Sequence, residues 1–422
     1  MDQPGDSSEG MFSALSTGWR HVVRWRNVIL QVVHLGLGGI FIMALWVFLG
    51  RAWGVEQFGA FNYFYTFAGF FGIVIDFGLD ILLTRMISAG ERGIDRHLIL
   101  LKAGVIILAG IIFSGVAMIV GTNGNVPVLG LLMAGVIFLS STTFLNGVLR
   151  GLDRLDVEAV IGLVQKGLFV SAAAGGAIIY GLGPWWAALI YLGSHILAFM
   201  LTLWRIPPGS KNLSARPYPI SEHLVEVVPL WGVTVFTFLA LRQDVFLLRW
   251  LSDETSLGIY TAGFRFIEGF FLFGAAFMAA CFPRLVARRQ DRVAYWRLFR
   301  KSFIVMAAGG IVIFAGCAVV GKPVLTLVYG ADFSLSGRLL VYLSGCMPLI
   351  FVSLLMGQAL IARQRQGLYV LALAGGLIVD AGVGILTIPM FKSFGAIWAF
   401  WAREIVIISI LGICTWQTAA KA

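Results

Sequence analysis

LGRAWGVEQFGAFNYFYTFAGFF, residues 49–71, can be laid on LLRWLSDETSLGIYTAGFRFIEGFF, residues 247–271, with small gaps, so that Arg51 matches Arg249, Gly59 matches Gly258 and Gly69 matches Gly269. A second pairing sets GLVQKGLFV (162–170) on GLIVDAGVG (376–384), and GPWWAALI (183–190) on GAIWAFWA (395–402). The offset stays near 200–214 residues in a chain of 422. Repetition at half the chain length is the mark of two structural halves in the same order.

Composition says where those halves sit. With 59% hydrophobic and 12% charged residues, the chain is far from the soluble average of about 45–50% and 25%. It belongs in a bilayer, which a helix crosses in roughly 20 mainly apolar residues. Twelve such stretches follow one another: 27–49, 59–83, 98–121, 127–149, 157–180, 184–204, 224–250, 257–283, 301–321, 337–361, 367–389 and 394–415. Six spans per half is an even number, so both halves start from the same side. The expected fold is an all-α polytopic membrane protein of about twelve transmembrane helices, in two six-helix lobes related by a pseudo-two-fold along the membrane normal. Its expected parts are an N-terminal cytoplasmic segment (1–26), an N-lobe (27–204), a cytoplasmic linker (205–223) rich in Pro and Ser, a C-lobe (224–415) and a C-terminal tail (416–422). No cleavable signal peptide is visible, so the first span is expected to stay as an anchor.

Orientation follows from Lys and Arg in the short loops. With the N-terminus inside, cytoplasmic segments carry 21 of the 31 basic residues and the opposite loops 5: Arg51, Arg249, Lys322, Arg338 and Lys392. Both termini are therefore expected in the cytoplasm. The same bias explains most of the +10 net charge without nucleic acid as a partner. Seven basic residues fall in RLVARRQDRVAYWRLFRK, 284–301, a positive-inside loop expected to touch anionic lipid headgroups.

Several chemistries are excluded. Cys281, Cys317, Cys346 and Cys414 lie singly, with no metal spacing or disulfide framework. GCAVVGKP, 316–323, imitates a phosphate loop, but Pro323 replaces the hydroxyl residue that would hold magnesium. The longest clear loop, 205–223, is too short for the catalytic loop of a membrane polymerase or transferase. Its Asn212-Leu213-Ser214 sequon lies on the cytoplasmic side.

FLGRAWGVEQFGAFNYFYTFAGFFGIVIDFGLDILLTRMISAG, 48–90, resembles the first helical hairpin of the polysaccharide flippases, with its GxxxFGxF loop and a DFGL near the cytoplasmic end of span two. Similar signals recur at 328–366, and IPMFKSFGAIWAFWAREIV (388–406) is like that family's closing hairpin. The family lies within the multidrug/oligosaccharidyl-lipid/polysaccharide exporter superfamily. The resemblance implies a non-enzymatic flippase in the plasma (inner) membrane. Its substrate would be a polyprenyl-diphosphate-linked oligosaccharide repeat unit for O-antigen, capsule or exopolysaccharide. It also implies work alongside a polysaccharide polymerase and chain-length regulator, coupling to H+ or Na+, and no bound cofactor. The drug-extruding branch, a cation-coupled multidrug exporter, shares the twelve-span plan.

Charges inside the spans are the candidate site. A charge at the bilayer centre costs about 2.5–3.5 kcal/mol on insertion scales, so it is usually paired, cavity-facing and functional. Arg242, Arg265 and Lys166 are the candidate cavity cations that would meet phosphate or acidic sugar. Arg242 serves either the cavity or a structural pair with Asp244, Glu268 or Asp380. Arg265 and Glu268, three apart on one face, can pair with each other, or Arg265 can hold substrate while Glu268 releases it. Arg242, Asp244, Arg265 and Glu268 have uncharged counterparts near Met43–Ala44, Trp46, Tyr65–Thr66 and Ala68, while Asp76 and Asp80 face Ala276 and Ala280 in the alignment. Coupling-ion or charge-switch candidates are Asp76, Asp244, Glu268 and Asp380. Asp80 is expected to pair with Arg85 or to be solvated, and Arg249 to reach the interface. Lys166 and Asp380, at matching places in the repeat, could meet when the lobes close. Arg403 and Glu404 read as a helix clamp, and His34 and His195 as neutral packing residues.

Overall fold

The computed structural model describes residues 7–90, 93–120, 125–211, 213–214 and 220–420, with side chains at His34 and from residue 36 onward except 119–120, 210–223, 225–227, 229–230 and 418–420. Most side chains of the expected N-terminal segment and linker thus lie outside the described residues. Ten described helices are long and apolar enough to cross a membrane, and the bent pair Ala331–Ser344 with Met347–Ala362, broken by 46°, makes eleven.

The helix Ser7–Asp76 supplies the twelfth. Gly54, at φ 74° and ψ 179°, breaks it, and beyond the break Phe58, Phe61 and Tyr65 come back beside Trp46 with ring centroids 5.0–6.0 Å apart. A straight helix would hold Trp46 and Tyr65 roughly 28 Å apart. The two legs are spans 1 and 2, and span 2 continues in Leu79–Ser88. The N half goes on with span 3 (Arg96–Val120), span 4 (Val126–Gly151), span 5 (Leu155–Tyr180) and span 6 (Pro184–Arg205). The C half holds span 7 (Ile220–Leu251), span 8 (Glu254–Ala287), span 9 (Arg292–Tyr329), the bent span 10, span 11 (Gln366–Phe391) and span 12 (Ser393–Ala420).

Two boundaries differ from expectation for physical reasons. Span 2 is not continuous over 59–83: Phe77 and Gly78 are left-handed, at φ 47° and 67°. The helix ending there leaves carbonyls that other spans satisfy. Lys102 Nζ of span 3 donates to Ile75 O at 2.8 Å and Trp231 Nε1 of span 7 to Ile73 O at 2.8 Å. Span 9 starts nine residues before 301 because Asp291 caps it, accepting from Ala294 N at 2.9 Å. The linker is not wholly irregular, since Leu213–Ser214 pairs in parallel with Ile94–Asp95.

The repeat is visible as a contact. A Cβ placed on Gly59 would run into Glu254 O and Gly258 N, and one placed on Gly258 would run into Val55 O. Val55 is to Gly59 what Glu254 is to Gly258, so each half touches the other through its own counterpart, the reciprocity of a two-fold contact. This crossing lies at the end that the charge bias assigns to the outside. From there the halves meet along two seams that the axis interchanges, span 1 with span 8 and span 2 with span 7. The second is filled by rings: Tyr63 and Phe67 of span 2 lie 6.1 and 6.5 Å from Phe246, Phe70 stacks on Phe238 at 5.8 Å, and Phe77 meets Trp231 at 4.8 Å.

Candidate functional site

The first seam is polar. Spans 1, 5 and 8 enclose a cavity of about 280 Å³ lined by Gly38, Trp46, Lys166, Arg265, Glu268 and their neighbours. Gly38 makes room for Lys166, whose Cδ and Nζ would lie 2.8 and 2.5 Å from a Cβ there. Arg265 is only 4% exposed. Its guanidinium lies 3.9 Å over the Trp46 ring, and its Nη1 donates to Glu268 Oε2 at 2.8 Å. Its Nη2 donates to Asn62 Oδ1, and Asn62 is itself fixed by donating to Phe58 O at 2.8 Å. The other Glu268 oxygen lies against Arg242 Nη2. One carboxylate thus bridges two guanidiniums, and among the described residues Lys166 has no acidic partner. Three cations against one carboxylate leave the cluster with an excess of positive charge, and planar guanidinium donors match phosphate oxygens two at a time. Of the partners open to Arg242, the structure chooses Glu268.

Asp244 goes elsewhere. It accepts from the Tyr260 hydroxyl and faces Arg403 Nη1 at 3.5 Å. The same nitrogen is 3.8 Å from Asp380 Oδ2, and Nη2 is 3.1 Å from Glu404 Oε1. Spans 7, 11 and 12 therefore bury three carboxylates around one guanidinium, with Asp380 and Arg403 fully buried. Neither Asp380 oxygen has a hydrogen-bond partner among the described residues. A second cavity, of about 210 Å³, reaches Glu404 past Thr237, Ser353 and Tyr369.

The two clusters are related by the repeat: Lys166 and Trp46 in one hold the places of Asp380 and Asp244 in the other. Their polarity is opposite. Lys166 and Asp380 are accordingly kept apart, each in its own cluster, and this structure does not join them.

Asp76 and Asp80 need no shared ion, because each has its own cation. Lys102 Nζ is 3.3 Å from Asp76 Oδ1, and Ser140 donates to the same oxygen. Asp80 pairs not with Arg85 but with Arg150, at 3.1 Å, which also binds Glu158 at 2.6 Å; span 4 brings Arg150 back to span 2, while Arg85 lies on the next turn of the same helix. Nor does Arg249 reach outward: its side chain is 13% exposed, pairs with Glu254 at 3.4 Å and lies 5.6 Å over Tyr63 of span 2, because the N half covers that face. His195 packs edge-on against Tyr191 at 4.4 Å. Arg403 and Glu404, read as a clamp, are the centre of the acidic cluster. The signal for that was present in the charges Asp244, Asp380, Arg403 and Glu404 within apolar spans 7, 11 and 12, but only the fold brings them together.

A helical bundle of twelve crossings in two like halves is the fold of solved structures from the MOP superfamily; here oppositely charged clusters sit on either side of its axis. The structure superposes on an inward-facing multidrug resistance MATE family transporter of that superfamily with a TM-score of 0.74, at 11% identity, over 94% of this chain and 98% of the other. On the lipid II flippase MurJ in an inward closed conformation the TM-score is 0.70, at 13% identity, over 92% and 87%. The profile of the family described as polysaccharide biosynthesis protein matches residues 24–287, and the chain belongs to that family. A probable low-salt glycan biosynthesis flippase, Agl15 of Haloferax volcanii, is 24% identical over 365 residues, 83% of this chain and 74% of that protein.

Proposed function

We propose that the chain is a flippase that carries polyprenyl-diphosphate-linked oligosaccharide units from the cytoplasmic to the outer leaflet of the plasma membrane, for O-antigen, capsule or exopolysaccharide synthesis. The observation that carries this reading is the pocket lined by Lys166, Arg265 and Glu268, whose one carboxylate is shared between Arg265 and Arg242. Empty, Glu268 keeps both arginines in place. An arriving diphosphate takes over their donors, and Glu268 reclaims them on release. The polyprenyl tail stays in lipid through the seam of spans 1 and 8, where Gly38 and Gly39 line the pocket. Kinship with the Haloferax protein, whose name is that of a glycan biosynthesis flippase, supports the same reading. Coupling falls to H+ or Na+ at the cluster of Asp244, Asp380 and Glu404, where carboxylates outnumber the one guanidinium. A drug exporter for cations would need the opposite sign in the pocket.

The test is made in cells lacking this protein. Loss of surface polymer with lipid-linked intermediates trapped on the cytoplasmic leaflet, restored by wild type and not by Arg265→Ala, is the expected result. Normal polymer with altered drug sensitivity would overturn it.

A further inference from the structure

Below the pocket, span 8 carries an exposed stripe: Leu272, Ala276, Ala280, Arg284 and Arg288 recur at four-residue spacing, with Ala279 and Pro283 beside them, all exposed. Sixteen residues separate Glu268 from Arg284, roughly 24 Å of helix. The stripe thus runs from the pocket to the inner end of the bundle. At its head, the buried Arg265 keeps Nε without a hydrogen-bond partner among the described residues. At its foot, Arg284 in the last turn of span 8 and Arg288 just past its end are joined by Arg289 in the turn and by Arg297, Arg300 and Lys301 at the start of span 9, all exposed. Asp291, the loop's own carboxylate, is engaged as the cap of span 9.

Among the described residues the N half carries a sparser field, with Arg85, Arg96 and Arg205 exposed on that side. There Arg150 is taken up by Asp80 and Glu158, and the places of Ala276 and Ala280 are held by Asp76 and Asp80. Positive-inside charge alone would not concentrate seven basic residues in 284–301, at the foot of the helix that leads to the pocket.

We propose that Arg284 and Arg288 form a cytoplasmic site for the diphosphate headgroup of the lipid-linked substrate, from which the headgroup moves along the alanine face of span 8 to Arg265. The proposal rests on the flippase reading and names where that substrate is first held. Small side chains clear the width a sugar-bearing headgroup needs, and exposed arginines bind it loosely enough to let it go on.

The full chain in nanodiscs of phosphatidylcholine, titrated with sugar-free polyprenyl diphosphate, tests this. Neutralising Arg284→Gln and Arg288→Gln together is expected to weaken binding about fivefold per arginine, more at low salt, and Arg284→Lys with Arg288→Lys to recover most of it. In vesicles, the glutamine pair raises KM for flipping and leaves kcat unchanged, whereas Arg265→Gln lowers kcat. Unchanged binding and KM overturn the site, as does phosphatidylglycerol competing as well as the diphosphate, since the surface then serves bulk phospholipid. A wild type that binds the probe through these arginines but flips nothing keeps the site and removes the flippase reading. A wild type that flips, with an unaffected glutamine pair, removes the site alone.

Discussion

Glu268 divides its two oxygens between Arg265 and Arg242, which makes it the residue whose loss acts on release. Glu268→Gln is expected to lower KM and lower kcat about tenfold in vesicle flipping assays, because the guanidiniums then lack the carboxylate that reclaims them. Arg403 is the converse case. Its removal leaves Asp244, Asp380 and Glu404 buried without a cation, so Arg403→Ala is expected to cost about 3–5 kcal/mol, seen as a large fall in thermal midpoint in detergent. At this scale the sequence was legible where charge interrupts apolar helix: Arg242, Arg265, Glu268, Asp244, Asp380 and Lys166 all fall in the two clusters. Asn62 and Trp46 were not, since one amide and one ring among so many apolar and aromatic residues carry no signal. Lys102 and Arg150 were visible as charges, but Asp76 and Asp80, which they reach across spans, lie 26 and 70 residues away in sequence, and only packing reveals such pairs.

Among the helices, the tightest constraint is the crossing of Gly59 and Gly258, where backbone meets backbone. Gly258→Val is expected to hold the outer ends of the lobes apart and to reduce flipping more than tenfold with normal membrane insertion. Cysteines at the outer hairpins that cross-link in wild type should fail to do so in this variant. The loop between spans 7 and 8 is tied to that between spans 11 and 12 by Asp253 and Lys392 at 2.8 Å. Burial alone would raise the Asp253 carboxyl, but Lys392 and the Ser256 N–H outweigh it and hold the group below the usual carboxylate range. A depressed carboxyl stabilises the fold above its unfolded value and loses that contribution as pH falls through the folded one. Thermal midpoints of wild type and Asp253→Asn should therefore differ near neutrality and converge only below about pH 4. Hydropathy located the helices well, but not the break at Phe77–Gly78, which exists because Lys102 and Trp231 supply the donors that a continuous helix would have supplied itself.

For the whole molecule, the charge bias predicts that both termini lie in the cytoplasm. A C-terminal reporter that is active only inside the cell should be active, and the same reporter placed after residue 253 should be silent. The two-fold arrangement was legible from the aligned stretches, yet the alignment hid how differently the halves had diverged in chemistry. That divergence governs traffic. Two identical halves would present two identical lateral doorways, one at each seam, and a lipid with a bulky head could leave through either. Here rings of Tyr63, Phe67, Phe70 and Phe77 close one against Phe246, Phe238 and Trp231, and the pocket of Lys166 and Arg265 lies at the other. A lipid tail that threads this protein is held to a single doorway, so head and tail keep one handedness relative to the lobes on every passage.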